Sequence, residues 1–375
     1  MAARVGIVGV GYEGFRPAIT DVSARELMFQ AASKAYADAD VDPRKEIGSF
    51  ISCTEDLWEG WSIADEMIPD QLGGARRPVC TVPADAITGL GHALMHIRSG
   101  IAEVVSVEAH SKVADVLDKT AVENLGLDPI FMRVPGANND VLAGLEMSYF
   151  LSKSGMSRDD CSLVVQREKA SSLRNPRSSF GASLTLDEIN EAEPVALPLR
   201  KYDKPQYAEA SVVLVVASEA WIRKNRREAV YVDGLAWRSA TPWYEGGDAD
   251  KASYAALALK SALKQSGLRG LASFDLLEVD DGYSYKLLQH LASLGFGNRE
   301  IRSMLSGKER RLNPSGGSLG SGNLIEATAA HRMLECVLQL TDRAGENQVK
   351  GVEKALAVSW RGSPTASGAV AVLSR

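Results

Sequence analysis

Residues 24–53, ARELMFQAASKAYADADVDPRKEIGSFISC, and residues 252–280, ASYAALALKSALKQSGLRGLASFDLLEVD, share one pattern. Each has alanines at helical spacing, a polar break, and then a short apolar run after GSF or ASF. The alanine spacing predicts a helix, and the apolar run predicts a strand buried on both faces. Because the unit occurs twice, the sequence indicates a fold of two similar α/β halves.

The rest of the chain continues this alternation of strands and helices. The strands predicted from apolar runs are Arg4–Val10, Ser49–Cys53, Glu103–Ala109, Ser211–Ser218, Ala229–Leu235, Leu276–Val279, Ala355–Trp360 and Ala369–Leu373. The predicted helices are Ala24–Ala39, Ala86–Ser99, Leu142–Ser154, Arg158–Ser172, Ala252–Gln265, Tyr285–Leu294 and Glu326–Leu340. The pairs Ser23 and Glu26, Ser157 and Asp160, and Thr185 and Glu188 predict capping boxes at helix starts.

These elements divide the chain into an N-terminal half, residues 1–225, and a C-terminal half, residues 226–375. Residues 111–205 are less regular and contain VPGANND, SLRNPRSSFGAS and EAEPVALPLRKYDKP. We interpret this segment as an insertion in the first half that covers a site or an interface.

Composition excludes several classes of function. The 375 residues carry a net charge of -6, so no overall basic field favours nucleic acid or an anionic membrane. The basic run at residues 223–227 indicates a solvated turn, with a contact to cofactor phosphates as the alternative. The four cysteines form no CxxC pair, and the first residues resemble neither a signal peptide nor a membrane helix. We therefore expect a cytoplasmic protein with reduced thiols.

Two motifs suggest cofactor or metal sites but lack the required context. GVGYEG, Gly9 to Gly14, matches GxGxxG, but no helix begins until the cap at Ser23, which argues against a dinucleotide loop. His92 and His96 share a helix face, but the sequence gives no HExxH pattern and no evident third zinc ligand. Hence we expect neither a metal nor a bound cofactor.

Several longer stretches resemble the thiolase superfamily, particularly the sterol-carrier-type and archaeal thiolases. In chain order, they include GIAEVVSVEAHSK from Gly100, VVQREKASSLRNPRSSFG from Val164, LLEVDDGYSYKLLQHLASLGFG from Leu276, NPSGGSLGSGNLIEATAAHRMLECVLQL from Asn313 and NQVKGVEKALAVSWRG from Asn347. The resemblance covers nearly the whole chain, and NPSGG and NQVKG are its most specific parts. It implies duplicated βαβαβαββ halves in a five-layer αβαβα arrangement.

This chain departs from the family at its catalytic positions. The family's nucleophilic cysteine falls at about residues 83–85, where no cysteine occurs, although Cys80 remains an alternative as a displaced nucleophile. The family histidine of GHP falls on Asn323, and its HDCF or NEAF position falls on Asp280. The second family cysteine falls near Trp360. Together these losses argue against thiolysis through a covalent acyl-enzyme.

An aspartate at position 280 is suited to a different reaction. A carboxylate can accept the proton of a β-hydroxyl group, as retro-aldol cleavage of a β-hydroxyacyl-CoA requires. Tyr283, Tyr285 and Tyr244 are candidate partners of this base, although Tyr244 belongs to an aromatic loop that also fits simple packing. The resemblance makes Asn323 a further catalytic candidate.

A second group of residues is predicted to contact the substrate. Asn313, Ser315, Gly316 and Gly317 belong to the glycine-rich loop, whose backbone could approach a thioester closely. Asp85 is predicted to cap a helix at the edge of the same site. Coenzyme A would enter as part of the acyl-CoA substrate, through a tunnel lined by the insertion.

The resemblance also implies partners. We expect a homodimer, or a heteromer with a small zinc-ribbon and OB-fold protein or with another thiolase subunit, as in thiolase-like aldolases of steroid breakdown. An alternative function is a non-catalytic subunit that supports an active acyltransferase or thiolase.

Overall fold

A computed structural model describes residues 4–56, 58, 63–240, 249–307, 310–362 and 367–375. The strands are β1 (Val5–Arg16), β2 (Ser49–Cys53), β3 (Val79–Val82), β4 (Val104–Ser111), β5 (Pro194–Ala196), β6 (Leu199–Arg200), β7 (Glu209–Ser218), β8 (Val230–Ser239), β9 (Leu276–Val279), β10 (Lys354–Arg361) and β11 (Ser367–Ser374). The helices are α1 (Ala24–Ala39), α2 (Ala64–Met67), α3 (Pro69–Leu72), α4 (Ala86–Arg98), α5 (Lys119–Leu125), α6 (Asn139–Ser154), α7 (Arg158–Ser172), α8 (Leu186–Asn190), α9 (Glu219–Lys224), α10 (Ser253–Ser266), α11 (Ser284–Leu294), α12 (Asn298–Leu305), α13 (Gly317–Ser321) and α14 (Ala327–Leu340).

Nine strands form one mixed sheet in the order β3-β2-β4-β7-β1-β8-β11-β10-β9. The first five come from the N-terminal part of the chain, and the last four come from its C-terminal part. The two groups meet where β1 pairs with β8 at Gly6–Tyr231 and Ile7–Val230. In the C-terminal group, Leu312 pairs with Leu277 as an isolated parallel bridge, as β3 pairs with β2 in the first group.

Three apolar cores separate the layers. A central core surrounds α4 and α14 and takes residues from both groups of strands, including Val212 and Ala355. Alternate residues of the same strands, such as Val213 and Leu356, face two outer cores. α1 packs in one outer core and α10 with α11 in the other, so the order is helices, strands, helices, strands, helices. The predicted α/β fold with five layers is confirmed.

The predicted capping boxes are confirmed at the starts of α1, α7 and α8. The GVGYEG motif lies within β1, where a side chain at Gly11 would approach Ala31 O to 2.2 Å. This glycine therefore allows α1 to pack directly on the strand, and no helix begins where a dinucleotide loop requires one. No helix in the described part of the chain is long and apolar enough to cross a bilayer.

Candidate functional site

A cavity of about 720 Å³ opens where the two groups of strands and the insertion meet. Asp85 contributes from the start of α4, and Asp280 from the end of β9. The insertion contributes Glu123 and Asp140 to the wall. The predicted role of the insertion as a cover for a site stays a prediction.

The structure brings four of the nine predicted site residues together. Asp85, Asp280, Tyr283 and Asn323 all line the cavity. Four other predicted residues are buried outside the lining of the cavity, and they are Asn313, Ser315, Gly316 and Gly317. Tyr244 lies outside the described residues. The chemical roles of these residues stay predictions.

Asp280 is held by a buried arginine. Arg332 on α14 is 1% exposed, and its Nη2 lies 3.2 Å from Asp280 Oδ2. The other carboxylate oxygen, Oδ1, accepts the Gly282 N–H at 2.8 Å. Burial opposes the charge of Arg332, but the carboxylates of Asp280 and Asp281 raise its pKa. The salt bridge therefore offsets the charge of the carboxylate and fixes it at the cavity wall.

The carboxylate of Asp281 has a different structural role from that of Asp280. Its carboxylate accepts the backbone N–H groups of Ser318 at 2.6 Å and Leu319 at 2.9 Å, and it also binds Arg332 at 2.9 Å. It thus caps α13, which follows it by almost 40 residues in the chain. The helix that directly follows this acidic pair, α11, has Tyr283 at its N-cap, and Tyr283 makes no side-chain cap bond.

A buried histidine supports the backbone of Asp280 from behind. His290 Nδ1 donates to Asp280 O at 2.8 Å, so its Nε2 accepts the Tyr254 hydroxyl at 2.6 Å. Burial lowers the pKa of His290 to about 3. The imidazole is therefore neutral at physiological pH and acts as a fixed spacer between α11 and α10.

Asp85 caps α4 at the opposite side of the cavity. Its Oδ1 accepts the Thr88 N–H at 2.9 Å, as predicted for a helix N-cap, and its Oδ2 accepts the Ser359 hydroxyl at 2.7 Å. Burial raises the pKa of Asp85, and the nearby charge of Asp280 raises it further against these hydrogen bonds. Asp85 can therefore hold a proton more readily than an ordinary aspartate.

Asn323 presents an amide to the cavity. Its Oδ1 accepts the Ile325 N–H at 3.0 Å and lies 3.5 Å from the Thr328 hydroxyl. Its backbone bonds to Gln206 O at 2.7 Å and to the Ala208 N–H at 2.9 Å. Oδ1 already accepts these hydrogen bonds. The Nδ2 group is the side chain's donor, and it can bond a ligand.

The glycine-rich loop holds the site together from behind. Asn313 bonds both backbone groups of Val279, accepting its N–H at 2.7 Å and donating to its carbonyl at 2.9 Å. Ser315 donates to Glu278 at 2.7 Å. A side chain at Gly316, where φ is +90°, would lie 1.8 Å from Ser172 Oγ on α7. The loop therefore anchors β9 and α7, which fixes the position of Asp280.

A network of buried charges joins the insertion to α14. Arg177 donates to Glu335 at 2.6 and 3.1 Å, and Asn175 bonds the same glutamate at 3.0 Å. Burial opposes the charge of Glu335, but the His331 hydrogen bond at 3.1 Å and the Arg177 guanidinium lower its pKa to about 2. The insertion is therefore an integral part of the fold behind the cavity.

The cavity wall carries more carboxylates than cations. Its acidic side chains are Glu55, Asp56, Asp85, Glu123, Asp140, Asp280 and Glu326. Its described lysine and arginine side chains are Lys204 and Arg361, and both form salt bridges with wall carboxylates, with Asp140 and Glu55 respectively. This balance disfavours a multiply charged anion inside the cavity.

The residues behind the alternative predictions lie elsewhere. Cys80 is part of β3, and burial raises the pKa of its thiol, which opposes a displaced nucleophile. His92 stacks on Trp237 with ring centroids 6.0 Å apart, and His96 bonds the Ser49 hydroxyl at 3.0 Å. Among the basic residues near position 225, Arg223 and Arg227 form salt bridges with Glu219 and Asp40.

Sequence reasoning missed two residues that define the site. The buried Arg332 had one signal, because it is a charged residue within the largely apolar run of α14. No signal in the sequence marked Ser359, because a serine near the end of a strand is common. Trp360 was noted only as the occupant of a lost cysteine position, yet its side chain lines the cavity.

Comparisons with known proteins agree with this architecture. Residues 248–375 match the family model described as Thiolase C-terminal domain-like. The acetyl-CoA acetyltransferase of Methanothermobacter thermautotrophicus is 25% identical over 93% of this chain and 94% of that protein. The 17-hydroxy-3-oxo-4-pregnene-20-carboxyl-CoA lyase of Mycobacterium tuberculosis is 24% identical over 97% of this chain and 98% of that protein.

Among solved structures, the Ltp2-ChsH2(DUF35) aldolase is similar with a TM-score of 0.84 at 20% identity, covering 99% of this chain and 97% of that chain. At this identity, the likeness concerns the fold. The layered architecture, the matched C-terminal segment and the full-length relatives together support membership of the thiolase superfamily.

Proposed function

We propose that this protein cleaves a carbon–carbon bond of β-hydroxyacyl-CoA thioesters by a retro-aldol reaction without a covalent intermediate. The observation that carries the proposal is the convergence of Asp85, Asp280 and Asn323 on one cavity that has no cysteine among its described lining residues. The similarity to a pregnene-carboxyl-CoA lyase and to the fold of an aldolase supports the same reaction class.

In the proposed reaction, the Asp280 carboxylate accepts the proton of the β-hydroxyl group while the Cα–Cβ bond breaks. The β-carbon leaves as a ketone or aldehyde, and the bonding electrons form the enolate of the shortened acyl-CoA. The Asn323 amide donates a hydrogen bond to the thioester oxygen, where this negative charge develops. Because burial raises the pKa of Asp85, its acid form is suited to return a proton to Cα.

The charge of the wall gives a further constraint on substrate binding. The phosphates of coenzyme A would meet an acidic cavity whose described cations are already paired. We therefore infer that only the acyl and pantetheine parts enter, while the nucleotide stays outside. A partner subunit that supplies cations there would strengthen binding, and the heteromeric aldolase of similar fold is consistent with such an arrangement.

The test is a product assay with the purified chain, alone and with any copurifying subunit. Incubation with β-hydroxyacyl-CoA should release a ketone or aldehyde and a shortened acyl-CoA in equal amounts. Asp280→Asn should lower kcat/KM by about 100- to 10,000-fold, as expected for loss of a general base. Asp159→Asn, at an exposed position in the first turn of α7, is the matched control and should keep full activity.

The second candidate function is a non-catalytic subunit. The salt bridge to Arg332 favours it, because both oxygens of Asp280 already accept hydrogen bonds. Under this alternative, Asp280 only anchors α14 to β9. Absence of products with every β-hydroxyacyl-CoA tested, together with stable binding to an active thiolase, would support the subunit over the lyase.

A further inference from the structure

The indole of Trp360 is held firmly beside the candidate catalytic residues. Lys286 Nζ lies 4.8 Å from the centroid of the indole ring, and Tyr283 meets the indole edge to face at 6.0 Å. A side chain at Gly282 would come within 3.0 Å of the ring, so this glycine allows the indole to approach the backbone after Asp280. These contacts set the resting orientation of the ring.

Lys286 is itself immobilised. It is 1% exposed, and its ammonium group donates to Glu146 at 2.8 Å and to Gln289 at 2.9 Å. A cation against an indole is attracted to the electron-rich face of the ring. Because the ammonium group draws electron density from the indole, it makes the indole N–H a stronger hydrogen-bond donor.

The indole N–H has no acceptor. Trp360 Nε1 is buried from water, and no hydrogen-bond partner for it exists in the described part of the chain. Buried N–H groups are nearly always paired in native proteins, because leaving one unpaired is costly. The same side chain lines the cavity of Asp85, Asp280 and Asn323, so a ligand there can supply the acceptor once the indole turns its N–H toward the cavity.

We propose that Trp360 donates its indole N–H to the thioester oxygen of the bound acyl-CoA and so acts as a catalytic residue beside Asn323. This inference rests on the proposed acyl-CoA function. An indole N–H can donate but cannot accept a hydrogen bond or transfer a proton at ordinary pH. Its partner must therefore be an acceptor, and the enolate oxygen of the retro-aldol step is an acceptor that gains negative charge.

The proposal predicts a binding effect that does not require turnover. Acetoacetyl-CoA forms an enolate with an absorption band in the near ultraviolet, so its ionisation can be followed when it is bound. The protein should stabilise that enolate. Trp360→Phe, which keeps an aromatic ring without the N–H, should reduce the equilibrium constant for enolate formation about 10-fold or more. Trp237→Phe, at a position on β8 outside the cavity, should leave it unchanged.

A second measurement covers the case in which Trp360→Phe does not fold. The protein has six tryptophans, and ¹⁵N labelling of their indoles gives one N–H resonance for each. Acetoacetyl-CoA should move the Trp360 resonance downfield, with Trp360→His providing its assignment. An unmoved resonance, or an enolate equally stable in Trp360→Phe, would overturn the assignment.

The outcomes separate this inference from the lyase proposal. Enolate stabilisation that depends on Trp360 without any cleavage of β-hydroxyacyl-CoA would keep the donor and reject the lyase. Cleavage of β-hydroxyacyl-CoA with full enolate stabilisation in Trp360→Phe would keep the lyase and reject Trp360 as the donor. Failure of acetoacetyl-CoA to bind to the wild-type protein at all would reject both.

Discussion

Asp85 and Asp280 reach the same cavity from opposite halves of the molecule, but their surroundings differ. Asp85 is bonded to a backbone N–H and a serine hydroxyl, and burial raises its pKa. Asp280 is joined to Arg332, which also holds Asp281. The same residue type thus has a raised pKa on one side of the cavity and a salt bridge on the other. The difference teaches that the roles of two carboxyl groups are set by their neighbours.

Removing the Arg332 guanidinium should abolish this difference and give the largest loss of stability. Arg332→Met leaves two buried carboxylates without their partner, which should cost about 3–5 kcal/mol in the free energy of unfolding at pH 7. Urea unfolding at pH 7 measures this loss.

The control for this prediction is Arg223→Met. Arg223 forms an exposed salt bridge with Glu219, with side-chain exposures of 76% and 24%. Such pairs contribute about 0–1 kcal/mol, so this variant should unfold almost like the wild type. Equal losses in the two variants would contradict the importance of Arg332.

The C-terminal aspartates also depend on the glycine-rich loop. Gly317 has φ of +57°, and a Cβ there would lie 2.2 Å from Asp281 Oδ2. Gly317→Ala should therefore cost about 2–3 kcal/mol through backbone strain and displacement of the capping carboxylate. Gly270→Ala is the control, because no atom lies within 4 Å of its added Cβ. Equal midpoints of thermal unfolding for Gly317→Ala and Gly270→Ala would contradict a fixed position of the Asp281 carboxylate.

Neutralising Asp85 should raise the stability of the protein instead of lowering it. Because the folded-state pKa of Asp85 is raised above its ordinary 3.8, the wild type loses stability as the pH rises through that folded-state value. Asp85→Asn avoids this loss and can still cap α4, so we expect a gain of about 1 kcal/mol at pH 7. The gain should disappear below pH 3.8, where both states of the wild type are protonated.

The proposed reaction predicts that Asp85→Asn also lowers the rate of β-hydroxyacyl-CoA cleavage while it raises stability. Urea midpoints measured at pH 7 and pH 3.5, together with the cleavage rate, test this trade-off. A variant that is less stable at pH 7 than the wild type would contradict the raised pKa of Asp85.

The smallest expected effect comes from the hydroxyl group that steadies Asp85. Ser359→Ala removes one hydrogen bond and should cost about 0.5–1.5 kcal/mol at pH 7. Because the hydroxyl donates to the ionised form, its loss should raise the pKa of Asp85 further and make stability more sensitive to pH. Ser374→Ala removes a similar bond to Asp233 outside the cavity, and it should lower stability without moving the titration of Asp85.

The sequence predicted what local patterns determine. Periodic alanines gave α1 with its observed bounds, and the apolar runs gave β2 and β9. The helix α13 has the sequence GSLGS, which has little helical tendency and forms where Asp281 caps it. β3, with the sequence VCTV, was not among the strands predicted from apolar runs, although its β-branched residues suit a strand.

The candidate site was predictable only in part. Asp85 and Asp280 were found because they stand where strands or helices end and where a family pattern places chemistry. The pairing of Asp280 with Arg332 spans 52 residues, and no local signal predicts it. The unpaired N–H of Trp360 depends on three-dimensional surroundings and therefore required coordinates.

The bond between Asp85 and Ser359 joins positions 274 residues apart. Since a chain emerges from the ribosome N-terminus first, α4 and its neighbouring strands can fold long before β10 is synthesised. During that interval, Asp85 is without its serine and the cavity is without its second wall. Assembly of the cavity is therefore a late event in the synthesis of the chain, and a prematurely terminated product would lack the complete cavity.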